Sequence, residues 1–476
     1  MSAPKADLKQ GIHGIQDILI LLVVSALLYY GARWQLFEPN TDAARYQCYA
    51  IAFWHGVPAL RVLSDFQCAF LTHPEQQHLL LLSRETIVNW MHQVHFPDPL
   101  IQFVAAQSTS VPYHSLPYEY PLLTLVPFSL GMTASLVRYQ VAFALWMIAV
   151  AAVLYLVLVR WQSRRAALAY VFYMVLGGWA TLAGRFDIMP AALTLLALLC
   201  SARNRWNWAF ALLALSTLLK FYPVVLLPPF LLAQQLAAQD SWYARRRWTP
   251  LAVFILVSAA IIAVSLLLSV EGTLAPFNYF GYRPIQVESL SASTLWLVHK
   301  LGLGSLSFAY TFGSLNMLGS LSSVISLFAS ALVVAGLLYT YWLLWRAKID
   351  LATASLLTLL IVMLTSKVFS PQYLIWVIPL LAYIGETRLW WLFPWSLICL
   401  LTTWIYPYIY LMTPDILDVP KNHLFFPVTT LRNLLILGWV LALLFYSSRK
   451  GFAARPPSSA EVSSHNHTKV AISSNK

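Results

Sequence analysis

Five short polar runs interrupt an otherwise apolar chain, and their residue types suit acid–base and anion-binding chemistry. Asp42 follows Glu38-Pro39-Asn40-Thr41, and Glu119 stands between Tyr118 and Tyr120, just before Pro121. Arg185 and Asp187 flank Phe186, and Lys220 leads Phe221-Tyr222-Pro223. Lys367 sits in Ser366-Lys367-Val368-Phe369-Ser370-Pro371, ahead of Gln372 and Tyr373. A carboxylate such as Asp42 can take the proton from a sugar hydroxyl as it attacks an activated sugar. Arg and Lys side chains in a dry hollow bind a phosphate through charge-assisted hydrogen bonds and stabilise charge on a leaving phosphate. Plainer readings stand beside these. Asn40-Thr41-Asp42 can cap a helix through 46–53, Glu119 can be an interfacial carboxylate between tyrosine anchors, and the cations can merely snorkel to headgroups.

What positions these residues is a membrane. The 476 residues are 59% hydrophobic and only 10% charged, with a mean hydropathy of +0.68. Soluble domains carry roughly a quarter charged residues, so the composition points to a polytopic membrane protein. The run 15–36 is too long for a signal-peptide core and has no cleavage site after it, so it reads as a retained first helix. Net charge is +12, but the basic residues form short clusters between apolar runs: Arg160/Arg164/Arg165, Arg203/Arg205, Arg245–Arg247, Arg346/Lys348 and Arg449/Lys450. That is the pattern of cytoplasmic loops, not of a nucleic-acid surface.

Using those clusters as cytoplasmic markers threads about twelve helices: 13–35, 136–159, 165–184, 186–202, 205–220, 222–238, 249–270, 322–345, 351–366, 372–386, 389–411 and 424–447. The expectation is an all-α membrane domain over 1–450, with both termini cytoplasmic. It has a large outer loop at 37–120, a second at 271–320, and a disordered cytoplasmic tail at 451–476. Residues 121–133 are apolar but span only half a bilayer and read as a short helix dipping in from outside. Within the first loop, 42–56, 74–95 and 97–107 read as amphipathic helices lying on the membrane.

Three hairpins have apolar arms at or below the roughly 20 residues needed to cross, so their polar tips should be recessed. Ionisable groups at such depth are costly and usually line a functional pocket; they are Arg185, Asp187, Lys220 and Lys367, with Arg432 part-way into the last helix. In an extracytoplasmic loop Cys48 and Cys68 can form a disulfide; the alternative is two reduced, buried thiols. Six of the eleven histidines lie in the first loop, where His92 and His95 share a helix face near Asp98 and His114. Without a spacing-fixed carboxylate or cysteine they read as surface histidines, and no metal or other cofactor is expected. In the second loop, 278–283 and 296–300, the latter carrying His299, combine aromatics with cations that can stack on sugars or anchor at the interface.

On these motifs the chain resembles the polyprenyl-phosphate-mannose-dependent mannosyltransferases of the GT-C class, glycosyltransferase family 87. The similar patterns are Asp42-Ala43-Ala44-Arg45-Tyr46, Tyr118-Glu119-Tyr120-Pro121-Leu122, Arg185-Phe186-Asp187 before Pro190-Ala191, Lys220-Phe221-Tyr222-Pro223 before Leu227-Pro228, and 366–373. They run from about residue 40 to 380, and the Ser-Pro-Gln-Tyr run is the most specific. The chain departs from the family in having one proline after the Glu-Tyr pair and in a long, cysteine-bearing first loop.

The resemblance implies an enzyme that takes mannose from a polyprenyl-phosphate donor at the outer face of the plasma membrane, with inversion and without a nucleotide. It implies Asp42 as base. Arg185, Lys220 and Lys367 are then expected at the donor phosphate, and Glu119, Tyr120, Asp187, Tyr222, Gln372, Tyr373 and His299 around donor or acceptor. The acceptor would be a lipid or glycan, among membrane lipids. The competing class is a lipid or polysaccharide transporter without transferase activity. Transporters tend to show repeated halves, whereas here one huge early loop has no counterpart. A membrane scaffold would leave the recessed charges as unexplained cost.

Overall fold

The computed structural model describes residues 5–39, 41–73 and 83–450. Asn40, the 74–82 part of an expected surface helix and the tail from 451 lie outside the described residues. The protein is an all-α polytopic membrane protein. Among the described residues, six helices are long and apolar enough to cross a bilayer: Gly14–Gly31, Leu136–Trp161, Arg245–Leu268, Ser322–Trp345, Leu389–Ile409 and Phe425–Arg449. Shorter apolar helices accompany them, including Ile188–Ser201, Trp206–Leu219, Tyr222–Ala237, Leu351–Thr365 and Tyr373–Gly385. Every apolar run threaded as a span is helical, although the third, Arg164–Gly177, stops before the expected 184.

The short helices form the centre. Leu351–Thr365 and Tyr373–Gly385 bury almost every side chain, whereas Arg245–Leu268 and Ser322–Trp345 turn Leu, Val and Phe outward. A helix that is apolar all round suits either place, core or lipid. At about 1.5 Å per residue these central helices of 15 and 13 residues reach only about 20–22 Å, against ~30 Å of hydrocarbon. Arms of that length do not by themselves cross the hydrocarbon layer.

The helix Asp42–His55 does not lie on the membrane as its pattern suggests. Ten of its 14 residues are buried. Ala43, Ala44, Ala50 and Ala52 let neighbours approach closely, and Tyr46 stacks on Phe128 at 4.3 Å and meets Phe186 edge-on. It is a core element, wedged against the broken helix Leu122–Thr133, which is too short to cross. Tyr139 ties that broken helix down by donating to the Phe128 carbonyl at 2.6 Å. A disulfide joins Cys48 to Cys68, Cα atoms 5.7 Å apart, and clips the helix Asp65–Thr72 onto the Asp42 helix.

The second outer segment holds a small antiparallel sheet that the sequence pattern did not suggest. Ile285–Gln286 and Leu306–Thr311 flank the central strand Ser314–Gly319. Its two-residue turn, Phe312-Gly313, has φ of 54° and 61°, the positive pair a tight hairpin requires.

Candidate active site

Several of these elements meet around a cavity of about 360 Å³, within the size range of small-molecule sites. The Asp42 helix contributes Asp42 and Arg45, and the first hairpin tip contributes Arg185. Gln286, Glu288, Tyr310 and Gly313 come from the second outer segment, Ser370 and Pro371 from the third tip, and Tyr406 and Tyr410 from the far wall.

Asp42 opens its helix but does not cap it. Thr41 is the N-cap, its hydroxyl accepting from the Ala44 N–H at 3.4 Å, so the Asp42 carboxylate is left to face the cavity. Its Oδ2 lies 2.5 Å from Nη2 of Arg185. One turn further, Arg45 pairs with Glu119 and reaches the Tyr118 hydroxyl at 3.5 Å. Burial pushes the Glu119 carboxyl above the ordinary carboxylate range, against the pull of Arg45. The hairpin turn presses on the same arginine: a Cβ on Gly313 would collide with Arg45 Nη1.

Beneath this layer lies a second pair. Asp187 is fully buried, bound by Lys220 Nζ at 2.6 Å and by Trp376 Nε1–H at 2.5 Å. Trp376 is sandwiched between Tyr222, at 4.0 Å, and Tyr373, at 3.8 Å. On the opposite side Arg432, also fully buried, donates to Glu288 Oε2 at 3.0 Å, and Tyr410 donates to Oε1 at 3.2 Å. Asn433 bonds the Glu288 carbonyl and Ser293, which fastens the second outer segment to the last helix. These pairs follow from burial, because a recessed charge is tolerable only beside its counter-charge.

The model of glycosyltransferase family 87 matches residues 118–371, more than half of the chain. The chain belongs to glycosyltransferase family 87. No curated protein and no solved structure matches it.

In this glycosyltransferase the matched region includes Glu119, Arg185, Asp187, Lys220, Tyr222 and Lys367, while Asp42 and Arg45 precede it. The structure brings Asp42, Arg185 and Glu119 to one place through direct pairs and Arg45, and sets Asp187, Lys220, Tyr222 and Tyr373 around Trp376. Arg185 and Lys220, expected at the donor phosphate, each hold a carboxylate, Asp42 and Asp187 respectively. Lys220 also lies over the Phe186 and Tyr120 rings, at 5.0 and 5.8 Å. Lys367 is exposed, and its carbonyl accepts from Gln286 N–H at 2.9 Å. Gln372 accepts from the Ser370 hydroxyl within the same tip.

His299 stands apart: it is exposed, and its Nδ1 bonds the Gly304 carbonyl at 2.9 Å outside the cavity wall. His92, His95, Asp98 and His114 do not assemble, and among the described residues no three His, Cys, Asp or Glu side chains gather to hold a metal ion. Sequence reasoning missed Gln286, Glu288, Tyr310, Trp376 and Tyr406. Trp376 had a usable signal, lying one helical turn past Gln372; the others are brought in by folding between distant segments.

Proposed function

We propose that this glycosyltransferase moves mannose from a polyprenyl-phosphate carrier to a hydroxyl of a lipid or glycan acceptor, at the outer face of the plasma membrane. The observation that carries the reading is Asp42, a carboxylate free of capping duty on the wall of a recessed cavity, held beside Arg185. The acceptor hydroxyl gives its proton to Asp42 while its oxygen attacks the anomeric carbon. The bond from that carbon to the phosphate oxygen breaks on the opposite side, polyprenyl phosphate leaves with the electron pair, and the configuration inverts. Arg185 sits where it can turn from Asp42 toward the leaving phosphate, which frees the base as charge develops. Lys220 and Lys367 add positive potential, and Glu119, held by Arg45, orients the sugar. Holding both reactants in one hollow supplies much of the rate through proximity. Outer-face action is supported by the basic clusters on the opposite loops and by the Cys48–Cys68 disulfide, which suits an oxidising compartment.

The test is reconstitution of the purified protein in liposomes with polyprenyl-phosphate [14C]mannose and a lipid and glycan extract. Label appearing in a new glycolipid or glycan, with release of polyprenyl phosphate, is expected. Passage of the intact donor across the bilayer without transfer would instead make the protein a transporter, and transfer from the arabinose donor alone would reassign the sugar.

A further inference from the structure

Four recessed cations each have a carboxylate of their own: Arg45 has Glu119, Arg185 has Asp42, Lys220 has Asp187 and Arg432 has Glu288. Arg283, at the end of the helix Val270–Tyr282, pairs with none among the described residues. Its Nε is enclosed and has no hydrogen-bond partner, and its guanidinium carbon lies 5.8 Å from the centre of the Tyr279 ring. Tyr279 in turn packs against Tyr118 at 6.0 Å and donates to the Phe312 carbonyl at 2.5 Å, which sets Arg283 beside the Arg45–Glu119 layer. A half-buried guanidinium that forms no salt bridge among the described residues keeps its donors available to an anionic ligand. The same helix turns Phe277 and Phe280 outward, 63% and 46% exposed. Both meet Phe221, beside Lys220, at 5.2 and 6.1 Å. A cation outside the salt-bridged pairs, at the end of an exposed aromatic face, matches a molecule with a phosphate head and an isoprenoid tail.

We propose that Arg283 anchors the phosphate of the donor lipid, whose isoprenoid chain lies over Phe277 and Phe280. This rests on the polyprenyl-phosphate reading above and assigns its head group to a residue outside the carboxylate pairs. A guanidinium fork can hold two phosphate oxygens at once, which a lysine cannot reproduce.

The experiment uses the full chain in phosphatidylcholine liposomes and compares wild type with Arg283→Gln and Arg283→Lys. Donor KM and inhibition by added polyprenyl phosphate are measured at saturating acceptor. Arg283→Gln should raise the donor KM and weaken polyprenyl-phosphate inhibition by about tenfold or more, Arg283→Lys by less, with acceptor KM unchanged. Either folded variant with an unaltered donor KM and unaltered inhibition overturns the assignment. If phosphatidylglycerol inhibits wild type as strongly as polyprenyl phosphate does, and Arg283→Gln abolishes both, the site reads bulk anionic headgroups and the proposal falls. Wild type that transfers nothing from any polyprenyl-phosphate sugar sinks the underlying reading instead.

Discussion

Asp42 and Arg185 approach to 2.5 Å, so the orientation of the proposed base depends on a guanidinium delivered by a separate hairpin. Thr41 matters equally, since its hydroxyl relieves Asp42 of the capping role that an aspartate at a helix start would otherwise take. The Glu288–Arg432 pair has a different task. Both groups are buried and hydrogen-bonded to Tyr410 and Asn433, and removing one charge strands the other. Arg432→Met should therefore destabilise the protein by about 3–5 kcal/mol, and adding Glu288→Gln to it should recover much of that loss. Thermal unfolding in detergent checks this. A double variant no more stable than the single one would show that the pair is not what the site's wall depends on.

At the level of elements, the hairpin turn at Phe312-Gly313 is the piece that braces Arg45. Gly313→Ala meets a positive φ of 61° and the Arg45 side chain, so it should displace Arg45 from Glu119. Transfer is expected to fall by about tenfold, and the thermal midpoint to drop because of the strained turn and the loosened Arg45–Glu119 pair; an unchanged turnover number would remove the turn from the site. On the neighbouring helix, burial raises the Glu271 carboxyl above its ordinary value of 4.5, with Arg84 opposing. The folded carboxyl then holds its proton more tightly than the unfolded one, so stability falls as pH rises through that interval and stays low above it. Glu271→Gln should raise the melting temperature near pH 7 and give no gain at about pH 4. A gain that is constant with pH would contradict this.

These elements also mark the limits of what the chain discloses. The hairpins themselves could be read, because short apolar arms flank the polar runs at Lys220 and Lys367. The pairing of Arg185 with Asp42 and of Trp376 with Asp187 could not, because those partners are far apart in sequence and nothing local specifies them. The Asp42 helix was misplaced because alternating Ala and aromatic residues look amphipathic, yet small residues equally serve a tightly packed interior. The hairpin escaped notice because Phe-Gly is not the Asn-Gly or Asp-Gly usual at such turns.

For the whole molecule, short buried helices stand among longer ones that turn apolar side chains outward, and the cavity lies where the Asp42 helix, the second outer segment and the hairpin tips meet. The proposed orientation places Ser241, beside the Arg245–Arg247 cluster, in the cytoplasm, and Ser305, ahead of the hairpin strand Leu306–Thr311, outside. With intact cells, a membrane-impermeant thiol reagent should label Ser305→Cys and spare Ser241→Cys until the membrane is breached. The opposite pattern would put the cavity on the cytoplasmic side. The central claim, that a single carboxylate in that cavity is the base, is tested most directly by Asp42→Asn in proteoliposomes, with donor binding and turnover measured on the same preparation. Donor binding should persist while transfer drops by about 10²-fold or more; turnover that survives the substitution would contradict the account.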